Sequence, residues 1–586
     1  MGSDIVFANK LKPYIQAMPD LFNYEIVSKV LLGILLYLLG QISQALLESS
    51  GRVAVTSGDY QFLFGTWQGL LILVVGIVSL FIYVAIDLNA TIALCGDLVI
   101  GKEVSVTRSI KEGFVSIRKL ISLQGILVVL YIALIAPILG IGLSVSATRG
   151  FYIPNFISAF IKDSVLYSAL AGVVALLFLF IGIANLFLLH GIVIDGLSAG
   201  SASDQSRRLI RDNWKDYLKQ NVLCFVTITA LLAGVAILFL FLPLKLITLL
   251  PAGVISRILT IFFVSAGAII SMLTGLLGIP LYLMKMTQLF YSYKQGEEYP
   301  YHEVEKAELF KSRKVTIGTL IAIAAAVLLM FGYFDQLFPQ RTSVNVIAHR
   351  GGGSEASENT LAGLESAWNN GAYGSEIDIQ RTKDGHYVVN HDGTFKRVAG
   401  DERKPEDMTL KEAKKLTIDG EPVATLPEML ITSKGRLVLF IELKGKTADK
   451  KMAEDTVKLV KQFQMEEECV LISLKYDLIN YIESTYPEIQ TGFLTFASYG
   501  ETAQLNCDYI GLEEESATAD AISAIHKEGK KALVWTVNEK GAQKHFLCTK
   551  ADGIITDHVK QATELSSKLD QRSDLDRMVD KVKTIL

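Results

Sequence analysis

Seven apolar stretches lie ahead of residue 335, near 26–47, 67–94, 120–146, 165–192, 221–243, 259–284 and 315–334, and nothing like them follows. Crossing a hydrocarbon layer takes about 20 residues of helix. The core helix of a soluble protein would account for any one stretch but not for the set; the run from Gly125 to Leu143 carries no charge at all. Inside lipid, each backbone polar group must find its partner within the structure, which makes these stretches helical. The chain therefore divides into an all-α, multi-span membrane domain over 1–334 and a soluble remainder. The 51% hydrophobic content belongs mainly to the first part.

Loop charges orient the spans. The second-to-third connection holds Lys102, Arg108, Lys111, Arg118 and Lys119, and the fourth-to-fifth holds Arg207, Arg208, Arg211, Lys215 and Lys219. The sixth-to-seventh holds Lys285, Lys294, Lys306, Lys311, Arg313 and Lys314. Intervening connections carry little: Arg52, then Arg149 and Lys162, then Lys245 and Arg257. Basic loops stay in the cytoplasm, so the N-terminus is expected there and the chain beyond the seventh span outside the cell membrane. No cleavable signal peptide is expected before Ile26.

Two basic connections share a plan. Ile110, Phe114, Ile117 and Ile121 recur at helical spacing, as do Leu209, Trp214 and Leu218. Both suit helices lying in the lipid interface and suggest a weak internal repeat. Asp87, His190 and Asp195 sit in or near apolar stretches, where ionisable groups are functional candidates unless they reach the span ends. The net charge of −4 gives no reason to expect a nucleic-acid partner. Cys95, Cys224, Cys469, Cys507 and Cys548 are scattered, without the spacing of a disulfide framework or zinc site.

After a short linker over 335–343, strand-like runs at Val344–Ala348, Ser375–Gln380, Tyr387–Asn390, Leu437–Leu443, Val470–Leu474, Gly492–Thr495, Tyr509–Leu512, Ala532–Val537 and Gly553–Ile555 alternate for the most part with helical patterns. Alternation of this kind means a parallel sheet, and about 220 residues suit an eight-stranded α/β barrel over 344–562. The surplus strand has a local origin. Too few residues separate Gln380 from His386 for a crossover helix, so a hairpin turning at Asp384-Gly385 is expected, with Asp378 opposite His391. Residues 563–586 read as a helical C-terminal extension, either added to the last barrel helix or touching another copy. The oligomeric state is not legible.

Barrels of this kind work at the C-terminal ends of their strands. There the sequence sets His349-Arg350, Glu376 and Asp378, His391-Asp392, Glu442 and Lys444, Trp535 and Asn538, and Thr556-Asp557. Glu376 and Asp378 are two apart and share one face of their strand. With Glu442 they offer three carboxylates and no cysteine, which favours Mg²⁺ or Ca²⁺ over zinc. Arg350 and Lys444 supply positive charge for a phosphate. His349 and His391 suit acid and base duty near neutral pH.

The segments HRGGGSEASENT (349–360), EIDIQRTKDGHYVVNHD (376–392), IELK (441–444), WTVN (535–538) and TD (556–557) resemble the glycerophosphodiester phosphodiesterase family. The resemblance implies a TIM barrel, a divalent cation held by Glu376, Asp378 and Glu442, and His349 with His391 as the acid/base pair. It sets Arg350 and Lys444 on the phosphate and Trp535 beside the substrate. It further implies attack by a neighbouring glycerol hydroxyl, giving a cyclic phosphate that water opens; direct attack by water fits the residues equally. The first half resembles, in architecture, the membrane domain fused to such enzymes in Gram-positive bacteria. The chain departs from the family pattern at Ser357, Ala424, Val559 and Gly393–Arg397, none of them a metal or proton-transfer position.

The expected activity is hydrolysis of a glycerophosphodiester to glycerol 3-phosphate and an alcohol. The substrate would be a head-group diester, a lysophospholipid or a polyglycerolphosphate such as lipoteichoic acid, with the lipid bilayer as the other partner. The rival is a transporter or lipid-handling membrane protein whose barrel only binds such diesters; divalent-dependent turnover separates the two.

Overall fold

The computed structural model describes residues 2–56, 59–122, 125–126, 164–247, 249–251, 253–296, 325–338, 343–496 and 498–585. These form two compact units, one of 1–42 with 71–332, the other of 43–70 with 333–586.

The first unit is helical. It holds most of α1 (Gly2–Ser49) and α2 (Trp67–Val99), together with α3 (Val106–Leu120), α4 (Val165–Ala184), α5 (Ala199–Ala236) and α6 (Val254–Gln295). Among the described residues, Pro13–Ser49, Trp67–Val99 and Val165–Val193 are long and apolar enough to cross a membrane. The fifth expected stretch lies in α5 and its helical continuation to Ile247, and the sixth lies within α6. Nearly all of the third stretch and the first half of the seventh fall outside the described residues.

Asp87 and His190 are buried, and all three ionisable residues of the apolar stretches have partners. Asp87 on α2 accepts hydrogen bonds from Tyr24 Oη at 3.0 Å and from Ser28 Oγ, both on α1. Lys29 bridges Glu25 at 2.9 Å and reaches Asp87 at 3.9 Å. His190 Nε2 pairs with Thr287 Oγ1 at 3.2 Å. Asp195, half-buried, holds Lys294 at 2.6 Å and Gln205 at 2.8 Å. Polar contacts between helices in an apolar surround fasten the helices together.

The basic connections depart from expectation in detail. Helix α3 buries its small face, Ser109, Gly113 and Ser116, against the rest of the unit and turns Phe114, Val115 and Ile121 outward. A Cβ at Gly113 would stand 2.7 Å from the Ile86 carbonyl, so the close approach to α2 requires glycine. Outward apolar side chains beside basic ones suit a lipid interface. Residues 207–218 are no separate helix. They continue within α5, which kinks at Asn213 (φ −121°, ψ 18°) and leaves Trp214 and Leu218 exposed.

The second unit is a barrel. Its strands are β1 (Ala54–Thr56), β2 (Asn345–Ala348), β3 (Gly374–Arg381), β4 (Tyr387–Val389), β5 (Val438–Leu443), β6 (Cys469–Ser473), β7 (Gln490–Thr495), β8 (Ser498–Gly500), β9 (Tyr509–Glu513), β10 (Lys531–Trp535) and β11 (Gly553–Thr556). Parallel pairing runs β2-β3-β5-β6-β7-β9-β10-β11 and closes on β2, the eight-stranded TIM barrel expected from the alternation. Alternate residues face opposite ways. Ile347, Phe440, Val470, Ile472, Leu494, Tyr509, Leu533 and Ile555 fill the interior, while Ile377, Ile379, Leu439, Ile441, Ile510 and Val534 pack outward under the helices.

β4 returns antiparallel to β3 as expected, but one residue out of the expected register. Ile379 faces Val389, and the Asp378 carbonyl accepts from Asn390, not from His391. Five residues, Thr382–His386, make the turn instead of the two assumed, with Thr382 N–H donating to the His386 carbonyl at 2.7 Å. The pair β1–β8 has no signal in the apolar pattern and is absent from the sequence reading.

The last barrel helix, α7 (Val559–Lys568), runs past the expected boundary at 562, and α8 (Asp574–Ile585) follows it. Within the described part of the expected linker, Phe334–Leu337 is a helical turn, and Phe334 and Phe338 are buried. Buried Arg577 of α8 donates to the Phe338 carbonyl through Nε at 2.6 Å and to Asp335 at 2.7 Å, and its guanidinium lies 4.9 Å from the centre of the Phe334 ring. Removing this side chain strands a buried carbonyl, a cost of about 1–3 kcal/mol. Arg577→Ala is therefore expected to free α8, read as faster protease cleavage near 569–573; unchanged cleavage would contradict the clamp.

Candidate active site

Three acids meet because the strands are in register. On β3 and β5, Asp378 stands directly opposite Glu442, and Glu376 lies two residues before Asp378 on the same inward face. Their carboxylate oxygens lie within 4.8 Å of one another, and the residues are only 3%, 1% and 6% exposed for Glu376, Asp378 and Glu442. Lys444 Nζ donates to Asp378 at 2.8 Å and to Glu442 at 2.9 Å. With all three carboxylates ionised, one ammonium would leave two negative charges uncompensated in a buried place.

The protonation pattern follows. Burial, then Asp378, pushes the Glu376 carboxyl well above the carboxylate range, so it keeps a proton in the metal-free protein. Burial alone would raise Asp378 as well, but Lys444, His391 and a hydrogen bond from Asn359 outweigh it and hold Asp378 low. Burial also raises Glu442. Burial opposes the charge on Lys444, yet the surrounding carboxylates hold it firmly cationic.

The triad fits a hard divalent cation. All its donors are oxygen, the charge deficit matches, and Glu376 Oε1 is buried without a hydrogen-bond partner. A second orphan stands beside it: Arg350 Nε is a buried donor with no acceptor. Arg350 follows β2 with φ +49°, its backbone N–H donating to Glu376 Oε2 at 2.8 Å and its Nη1 to Glu358 at 3.3 Å.

Each histidine is held by an acid. His349 Nδ1 lies 2.7 Å from Asp557 Oδ1, and His391 Nδ1 lies 2.7 Å from Asp392 Oδ1. Both carboxyls are held near pKa 2; burial opposes this, but bonding to Asn538 and Arg397 as well as to the histidines prevails. An ionised carboxylate only accepts, so each Nδ1 carries the proton and each Nε2 is the working atom. His349 Nε2 lies 4.0 Å from Glu376. The two rings differ in basicity. Burial would lower His349, but Asp557 and Glu376 raise it above the ordinary value. Burial takes His391 down to about 4, with Asp378 opposing only in part.

All the expected residues except Trp535 thus join one network. Trp535, at the end of β10, faces the barrel interior and donates its indole N–H to the Gly511 carbonyl at 3.0 Å. Four supporting residues had no role assigned from sequence. Asn359 donates to Asp378 at 2.9 Å, Asn538 donates to Asp557 at 2.6 Å, and Arg397 ties Glu358 to Asp392. The signal for three of them was their place within the quoted segments; Arg397 lies just beyond one.

Comparison with known proteins follows the same division. Residues 349–561 match the glycerophosphoryl diester phosphodiesterase family, and residues 9–334 match the membrane domain of glycerophosphoryl diester phosphodiesterase. A glycerophosphodiester phosphodiesterase of Caldanaerobacter subterraneus is 32% identical over 243 residues, 38% of this chain and 98% of its own length. One from Bacillus altitudinis is 26% identical over 241 residues, 38% of this chain and 98% of its own. Among solved structures, a phosphodiesterase of Oleispira antarctica in complex with the product sn-glycerol-3-phosphate is 24% identical and covers 38% of this chain and 96% of its own, at a TM-score of 0.36. The chain belongs to the glycerophosphoryl diester phosphodiesterase family and carries, with the hydrolase barrel, that family's membrane domain.

Proposed function

We propose that this membrane-borne hydrolase cleaves glycerophosphodiesters outside the cytoplasm with a divalent cation, Mg²⁺ or Ca²⁺, held by Glu376, Asp378 and Glu442. The observation that carries the reading is the pair of orphans: a buried acceptor, Glu376 Oε1, and a buried donor, Arg350 Nε, in one site. A cation and a phosphate oxygen would satisfy both. When bound, the cation withdraws charge from the phosphodiester and holds it in line for attack.

The chain's own groups divide the remaining work. Arg350 and the third N–H of Lys444 neutralise charge growing on the phosphate oxygens. His391, neutral at physiological pH, takes the proton from the attacking oxygen through Nε2. His349, whose proton affinity is raised by its bond to Asp557, donates from Nε2 to the departing alcohol. Trp535 lines the mouth for the alcohol. The division of labour is 1–334 for the membrane, 335–343 as connection, 344–562 for catalysis and 563–586 as extension.

The orientation is supported by two independent features. Alternating basic loops favour a cytoplasmic N-terminus, and the pairing of β1 with β8 agrees with the first inter-helix connection and the barrel sharing one side.

Right-side-out vesicles carrying the full chain are expected to release glycerol 3-phosphate from external glycerophosphoethanolamine with Mg²⁺ or Ca²⁺ and not with chelator. His391→Ala should lose ~10²–10⁴ in rate. Release that survives chelation and the substitution would sink the site, and release only after permeabilisation would sink the orientation.

A general acid fails as pH rises through its pKa. Asp557→Asn removes the larger of the two influences that raise His349, so the basic limb of the kcat/KM profile should move to lower pH, while the acidic limb set by His391 stays. A basic limb that does not move would show that His349 is not the acid.

A further inference from the structure

The pair β1–β8 takes no part in the chemistry above, yet it ties the mouth of the barrel to a membrane helix. β8 lies in the connection that follows β7, at the barrel end where the catalytic side chains stand. Its partner β1 is the turn between α1 and α2, in the register Ala54–Gly500, Val55–Tyr499, Thr56–Ser498.

The fit is close. Glu501 N–H donates to the Val53 carbonyl at 3.0 Å. Gly500 has φ +94°, and a Cβ there would stand 2.8 Å from the Val53 carbonyl and 3.0 Å from Leu47 Cδ1. Leu47 is fully buried and is the last residue of the first apolar stretch. Ala54 belongs to the buried cluster that lies between the barrel strands and their helices. The turn is closed by Asp59, which accepts from Thr56 Oγ1 at 2.8 Å and from Arg52 at 2.6 Å. The chain then leads through a short helix, Tyr60–Gly65, to Trp67, where α2 begins. Phe64 and Trp67 are 68% and 64% exposed. Tryptophan at the start of an apolar helix marks the level of the lipid head groups. A loop at the catalytic end thus lies against Leu47, the last apolar residue of a membrane-crossing stretch.

We infer that the mouth of the active site opens at the lipid surface and that the substrate is a glycerophosphodiester whose glycerol carries a lipid chain, taken from the bilayer. This rests on the hydrolytic reading above and adds the substrate class. A lipid-borne diester is concentrated in two dimensions at the mouth, whereas a diester free in solution gains nothing from the strap.

The test uses full-length protein in diacyl phosphatidylcholine vesicles and two substrates with one head group. These are lysophosphatidylethanolamine within the vesicles and soluble glycerophosphoethanolamine, each read by ethanolamine release. The wild type should favour the vesicle-borne substrate by about tenfold or more in kcat/KM. The triple variant A54G/V55S/T56G removes the strand without touching a site residue. It should lose about tenfold of that preference, with soluble turnover kept within about twofold. An unchanged preference in the variant, or a wild type that favours the soluble diester, would overturn the inference. If the variant loses both activities, T56C/S498C decides: the facing thiols should cross-link on oxidation and keep the vesicle preference, and failure of either overturns it. Release of ethanolamine from neither substrate by the wild type would instead overturn the hydrolytic reading.

Discussion

Repulsion among three buried carboxylates is the constraint around which the barrel's catalytic end is organised. Asp378 and Glu442 face each other across β3 and β5 because the strands are parallel and in register, and Glu376 follows from the two-residue repeat. The same alternation that puts Ile377, Ile379, Ile441 and Leu443 under the helices turns all three acids to the inner face, and the observed register brings them together there. The neighbourhood answers the repulsion with Lys444, with hydrogen bonds from Asn359 and the Arg350 backbone, and with a proton on Glu376. What is left over, an unpartnered carboxylate oxygen and an unpartnered guanidinium nitrogen, is the complement of a cation and a phosphate.

Around that centre, positioning is done at second remove. Asp557 and Asp392 each fix one histidine in the tautomer that leaves Nε2 free, and each is itself fixed by Asn538 or Arg397. The same two rings acquire opposite tendencies from their surroundings, a separation that lets one give a proton while the other takes one. Further out, the barrel is secured at two places, by β1 against β8 and by α8 against the turn Phe334–Leu337.

Much of this was legible in the sequence, for identifiable reasons. The barrel shows because strands and helices alternate, and the acids show because Glu376 and Asp378 are two apart on a strand. What escaped depends on contacts between distant residues. The register of β4 turned on whether two or five residues form the turn, which Asp384-Gly385 alone does not settle. β1 is three residues long and β8 likewise, too short for any periodicity to announce. Arg577 looked like one charge in a charged extension, and its burial appears only when α8 folds back on Phe334 and Phe338. The burial of Asp87 likewise depends on Tyr24 and Ser28, which meet it from α1.

The most direct test of the central claim is to locate the cation. Crystals of the full chain soaked in Mn²⁺, with diffraction measured at the manganese edge, should show one anomalous peak among Glu376, Asp378 and Glu442, at about 2.0–2.6 Å from their oxygens. That peak should disappear in Glu376→Gln. A triad without a peak, or a peak that survives the substitution unchanged, would contradict the account.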